Sequence, residues 1–174
     1  MSDTSQQSQS SSAAWEPRIV AFFCNWCTYT ASDLAGVSRL TYAPNTRIIR
    51  IMCSGRLDPQ FILAALRQGA DGVLIGGCHP GDCHYQSGNY KALRRFRLLK
   101  RLLAQMGIED ERVRLEWIAA SEGDKVQKVT NEMVGQIKKI GPLKLVQTPN
   151  PHEPQKSLDE LVATTPVGEA CTCR

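Results

Sequence analysis

Four short apolar runs, each followed by a segment with helical spacing, limit the fold more than any other feature of the sequence. Within Arg18–Phe23, residues Ile19, Val20, Ala21, Phe22 and Phe23 are continuously apolar, as in a strand covered on both faces rather than one wetted on one side. Ile48, Ile49, Ile51 and Met52 supply a second run, Val73, Leu74 and Ile75 a third, and Val113, Leu115, Trp117 and Ile118 a fourth. The clearest helix covers 90–106: Ala92, Phe96, Leu99, Leu103 and Met106 recur every three or four residues, and Gly107 supplies the stop. Pro59–Gln68 and Asp124–Ile140 also read as helices, and Ala31–Leu40 more weakly. Strands alternating with helices predict parallel β-α units with right-handed crossovers and helices on both sheet faces. The predicted fold class is α/β, a small three-layer flavodoxin-like sandwich on a four-stranded, mainly parallel sheet.

The alternation fills residues 17–141, enough chain for one core and not for two. Residues 1–16 are rich in Ser and Gln with little to bury, and read as a disordered tail. Over 142–174, Pro142, Pro149, Pro151, Pro154 and Pro166 break regular elements, so this stretch reads as a second tail or a docking arm. No run approaches the roughly 18 apolar residues of a membrane helix, and no basic start precedes an apolar run. No membrane span and a cytoplasmic location are expected. The 21 Lys+Arg against 17 Asp+Glu leave a net charge of +4, short of a nucleic-acid binder's usual excess, and no RNA-binding motif is present. No nucleic-acid partner is expected.

The cysteines fall at telling places on this pattern. Cys24 and Cys27 follow the first strand, Cys53 the second, and Cys78 and Cys83 bracket the loop after the third. In a parallel sheet all carboxyl ends lie at one edge, where open α/β sheets place ligands. Five converging thiols suit a soft metal or an iron–sulfur cluster, since a reducing cytoplasm and an adequate core make disulfides a poor explanation. Cys24-Asn-Trp-Cys27 is a C-x2-C pair and Cys78-His-Pro-Gly-Asp-Cys83 a C-x4-C pair, and two pairs suit a two-iron cluster. Each loop feeds a helix N-terminus, which favours anionic thiolates. His79 and His84 are expected to be ligands of a mixed site or, preferably, hydrogen-bond donors to sulfur, with Trp26, Tyr29 and Tyr85 shielding the site. Cys171 and Cys173 lie in the Pro-rich stretch and have no place in this scheme.

Other chemistries fit less well. A lone buried cysteine is often only a small hydrophobe, and Cys53 by itself reads that way too. A C-x2-C beside a β-α unit suits a thioredoxin-like pair, but that motif opens a helix and leaves three thiols without a role. Zinc held by four thiolates is the stronger rival, giving an interaction module without redox function. No phosphate-cradling glycine motif or catalytic triad is present. Lys91, Arg94, Arg95, Arg97, Lys100 and Arg101 crowd one helix without an acid, either a solvated face or a docking face for an acidic partner.

The strings Phe23-Cys24-Asn25-Trp26-Cys27-Thr28-Tyr29, Met52-Cys53-Ser54-Gly55-Arg56 and Gly77-Cys78-His79-Pro80-Gly81-Asp82-Cys83-His84-Tyr85, then Gly88-Asn89, set the chain beside a known family. From about Pro17 to Pro142 it resembles the delta subunit of methyl-viologen-reducing hydrogenase. The resemblance implies a [2Fe-2S] protein relaying single electrons from a hydrogenase or formate dehydrogenase module to a flavin-containing heterodisulfide-reductase-like subunit. It implies ligation by four of Cys24, Cys27, Cys53, Cys78 and Cys83, the fifth staying free or nearby, and no substrate chemistry of the chain's own.

Overall fold

The computed structural model describes residues 15–145. Its sheet contains β1 (Ile19–Cys24), β2 (Thr46–Ile51), β3 (Gly72–Gly77) and β4 (Val113–Trp117), all parallel and in the order β2-β1-β3-β4. The helices are α1 (Thr28–Val37), α2 (Pro59–Arg67), α3 (Gly88–Gln105) and α4 (Gly123–Ile140), with short 3₁₀ turns at Ser54–Arg56 and Asp110–Arg112. The fold is α/β, and the strand order matches the first four strands of a flavodoxin-like sheet.

Alternation along the central strands builds two cores. Ile19, Ala21 and Phe23 of β1 and Leu74 of β3 face Ala31 of α1 and Val126, Val129, Met133 and Ile137 of α4. Phe22 of β1 and Val73 and Ile75 of β3 point the other way, into Ile62 and Leu66 of α2 and Leu99 and Leu103 of α3. Each Val, Leu, Ile, Phe or Met among them contributes roughly 1.5–3 kcal/mol of burial. All of β3 is buried, whereas β2 and β4 lie at the edges and are partly exposed.

The amino edge of the sheet is stitched by buried polar groups. Asp71 accepts from the backbone N–H of Arg18 at 2.9 Å and of Leu143 at 3.1 Å. The buried Arg112 donates to Glu109 at 2.6 Å, to the Asp71 carbonyl at 3.0 Å and to the Gly141 carbonyl at 3.1 Å. A buried cation is tolerable when its donors are used in this way. The carboxyl edge, by contrast, holds the cysteine loops. Because β1 leads through α1 to one side and β3 lies on the other, the topological crevice opens between the carboxyl ends of β1 and β3.

Several boundaries differ from expectation. α1 begins at Thr28 rather than Ala31 and ends at Val37, because Cys27 takes the N-cap position directly after the β1 loop. Strand β2 stops at Ile51, leaving Met52 outside the sheet and 52% exposed. Met106 is also exposed; the chain turns there, and Ile108 fills the core position instead. Residues 1–14 and 146–174, most of both predicted tails together with Cys171 and Cys173, lie outside the described residues. Of the residues flanking 17–141 that are described, Glu16 bonds Asn45 and Lys138, and Leu143 and Leu145 pack on the α2–α3 core.

Candidate metal centre

All five cysteines reach the carboxyl edge, and all are buried as free thiols. Cys24 ends β1, Cys27 caps α1, Cys53 precedes the Ser54–Arg56 turn, Cys78 follows β3, and Cys83 lies in the loop before α3. The Sγ atoms of Cys24, Cys27 and Cys78 lie within 4.8 Å of one another and could hold a metal ion. Cys24 and Cys78, 54 residues apart, are 3.7 Å apart at sulfur, and Cys53 and Cys83 are also 3.7 Å apart. Two thiolates on one tetrahedral ion at about 2.3 Å would stand about 3.8 Å apart. The site thus offers two such pairs, with Cys27 beside the first.

Close backbone approach makes this possible. At Gly76 a Cβ would meet Thr28 Cγ2 at 2.3 Å, so the absence of a side chain lets α1 start directly over β3 and brings Cys27 towards Cys78. At Gly88 a Cβ would fall 2.2 Å from Cys53 Sγ and 3.0 Å from Cys83 Sγ, so the first turn of α3 lies against the second pair. The backbone N–H groups of Tyr85, Asn89 and Gly88 lie near enough to Cys83 to lower its pKa, and Gly55 N–H donates to Cys53 at 3.4 Å. Asn89 clamps the intervening loop by donating to the carbonyls of Cys78 and His79 at 3.4 and 2.7 Å.

The thiols perturb one another's protonation. A bond from Cys27 takes Cys24 down to about 5 against burial, with help from Trp26, Cys78 and Ser54. Cys27, the donor in that contact and buried, is pushed up. Burial lifts Cys78 to about 11, a bond with Cys27 opposing it and the charge of Cys24 adding to it. Burial also raises Cys53 despite the Gly55 N–H, whereas at Cys83 the three backbone donors and Cys53 outweigh burial and lower it. Most of these sulfurs remain protonated unless a cation replaces the protons. The buried hydroxyls of Thr28 and Ser54, next to Cys27 and Cys53, have no hydrogen-bond partner among the described residues. Such groups cost about 1–3 kcal/mol each. An all-sulfur donor set, a cradle kept open by Gly88 and donors directed at sulfur suit an iron–sulfur group.

The expected histidine roles are replaced. His79 Nε2 pairs with Glu122 Oε2 at 2.8 Å, and Glu122 also accepts from Ala119 N–H at 2.6 Å. The His84 ring stacks on Trp26 with centroids 3.9 Å apart. Trp26 Nε1–H donates to the Tyr85 hydroxyl at 3.3 Å, completing an aromatic cap over the cysteine loops. Tyr29 lies elsewhere, packed on the α1–α4 core beneath Arg50 at 5.1 Å. Among the described residues neither histidine donates to a sulfur, whereas the Gly55 N–H does, which residue type does not reveal. The C-x2-C pair does open a helix, so only the three further thiols separate it from a thioredoxin-like pair.

Comparison with known proteins places the chain. The family model for the delta subunit of methyl-viologen-reducing hydrogenase matches residues 19–141. The chain is 59% identical over 133 residues to an F420-non-reducing hydrogenase iron-sulfur subunit of Archaeoglobus profundus, covering 76% of this chain and 97% of that protein. It is 60% identical over 131 residues to an F420-non-reducing hydrogenase vhc iron-sulfur subunit of Methanococcus voltae, covering 75% of this chain and 91% of that protein. A third match, to a subunit of the ferredoxin/F(420)H(2)-dependent CoB-CoM heterodisulfide reductase of Methanosarcina acetivorans, is 47% identical over 127 residues, covering 73% of this chain but 16% of that longer protein. The chain therefore belongs to the methyl-viologen-reducing hydrogenase delta subunit family.

Proposed function

We propose that the chain is the electron-transfer subunit of a multi-subunit oxidoreductase, with four of Cys24, Cys27, Cys53, Cys78 and Cys83 ligating a [2Fe-2S] cluster within the 17–141 domain. The observation that carries this reading is the pair of 3.7 Å sulfur contacts, Cys24 with Cys78 and Cys53 with Cys83. Each has the spacing of two thiolates on one tetrahedral ion. When bound, such a cluster stores one electron at a potential within roughly −700 to +450 mV. The Gly55 N–H bond to Cys53 and the N–H groups near Cys83 offset negative charge at sulfur, and the Trp26–His84–Tyr85 cap limits water.

The proposed partners are a hydrogenase or formate dehydrogenase module on one side and a flavin-containing heterodisulfide-reductase-like subunit on the other, in the cytoplasm. The names of the Archaeoglobus and Methanococcus relatives support the first. The Methanosarcina relative supports the second: there a segment 47% identical to this chain forms 16% of a heterodisulfide reductase polypeptide, and a shared polypeptide holds two modules at high effective concentration. No described helix is long and apolar enough to cross a membrane.

Anaerobic purification followed by iron, sulfide and zinc analysis and a visible spectrum tests the proposal. A coloured protein with about two irons and two sulfides per chain is expected. A colourless protein with one zinc per chain would instead make it a zinc-stabilised interaction module.

A further inference from the structure

Half of the exposed large apolar side chains among the described residues lie at the carboxyl edge or along α3. Trp26 at 44%, Met52 at 52%, Tyr85 at 49% and Tyr90 at 44% ring the carboxyl edge, and Leu98 at 70% and Leu102 at 43% continue the surface along α3. The first three belong to the cysteine loops, and Tyr90 to the α3 turn lying against Cys53 and Cys83. Apolar surface concentrated around a site marks an interface more often than chance exposure does.

Charge narrows the partner. Of the six basic residues on α3, Arg95 is spent on the carbonyls of Gly55 and Leu57, and Lys100 on Asp110. Lys91, Arg94, Arg97 and Arg101 are exposed, and no ion pair involves them among the described residues. Leu98 sits one helical turn from Arg94 on one side and from Arg101 and Leu102 on the other. Tryptophan, tyrosine and arginine around exposed leucine is the composition of an interface centre.

We propose that this continuous surface, from Trp26 and Tyr85 through Tyr90 to Leu98 and Arg101, docks an acidic-rimmed apolar patch on the heterodisulfide-reductase-like partner. The inference rests on the function proposed above and adds the face that meets the partner. Its aromatic end belongs to the cysteine loops, so docking there would bring the partner next to the site. The basic end steers approach, which makes association salt-dependent.

The test uses the full chain, purified without oxygen, and the heterodisulfide-reductase-like protein of the same genome, with affinity measured at low and high salt. Leu98→Asp and the double variant Arg94→Glu/Arg101→Glu should each weaken binding at least about tenfold. Val37→Asp, on the far helix α1 at a position 82% exposed, should leave binding unchanged. Iron content and reduction by dithionite should be unaltered in all three, because none touches a cysteine loop. Binding within about twofold of wild type in both α3 variants, weakening by Val37→Asp alone, or no binding of the wild type to this partner would overturn the docking face. Absence of iron from the wild type would instead overturn the proposed function.

Discussion

At Gly88 a single methyl group decides whether two of the five sulfurs keep their places. Gly88→Ala would put a Cβ 2.2 Å from Cys53 Sγ, and neither sulfur nor the α3 backbone can yield that much without opening the pair. The expected result is a folded protein that has lost most of its iron, destabilised by about 1–3 kcal/mol, read by iron analysis and chemical denaturation together. Cys78→Ala and Cys83→Ala should likewise lose stoichiometric iron, whereas Cys171→Ala and Cys173→Ala should retain it; the reverse pattern in metal analysis would overturn the site assignment. The five cysteines were legible because each follows a strand run. That Gly88 lies against Cys53 was not, since the two are 35 residues apart in the chain, and local sequence shows only a glycine suited to a close approach near a helix start. The clamp by Asn89 and the pairing of Glu122 were not legible for the same reason: their partners are fixed by the tertiary fold.

Helix α1 shows how an element carries the site. It starts at Thr28 over the glycine at position 76, and no Ser, Thr, Asp or Asn marks its cap, so sequence placed it three residues late. Gly76→Ala would drive a Cβ to 2.3 Å from Thr28 Cγ2 and 2.8 Å from Phe23 Cδ1. It should cost about 1–3 kcal/mol, a lowered denaturation midpoint, and displace Cys27. The α4 end offers a pH test. Glu122 is held below the usual carboxylate range, first by the Ala119 N–H and then by His79. A depressed folded value adds stability above the unfolded pKa, about 4.3, and that stability is lost as pH falls through the folded one. Glu122→Gln should therefore lower the melting temperature modestly at neutral pH, the group being 34% exposed, and the difference should shrink as pH drops below about 4. An unchanged difference across that range would contradict the assignment. The central strands were readable because they are almost continuously apolar, and the long helices α3 and α4 because their burial is periodic; the edges of β2 and the turn at Met106 were not, because they depend on where neighbours stop covering the chain.

For the whole molecule, topology matters more than any motif. A sheet ordered β2-β1-β3-β4 puts the carboxyl ends of β1 and β3 side by side, so cysteines far apart in sequence meet at the crevice without a local signature. Alternation of strands and helices was enough to foresee that meeting. The Asp71–Arg112 network at the opposite edge was not foreseen, because it joins four chain segments through backbone groups. It closes one edge of the sheet and leaves the other to the sulfurs and the exposed aromatic surface. The central claim is that these sulfurs hold a centre that changes oxidation state by one electron. A reductive titration of the anaerobic protein, with spin quantitation by electron paramagnetic resonance, tests it most directly. Uptake of about one electron per chain with the appearance of about one unpaired spin is predicted; no uptake and no signal in a fully folded, metal-loaded protein would contradict it.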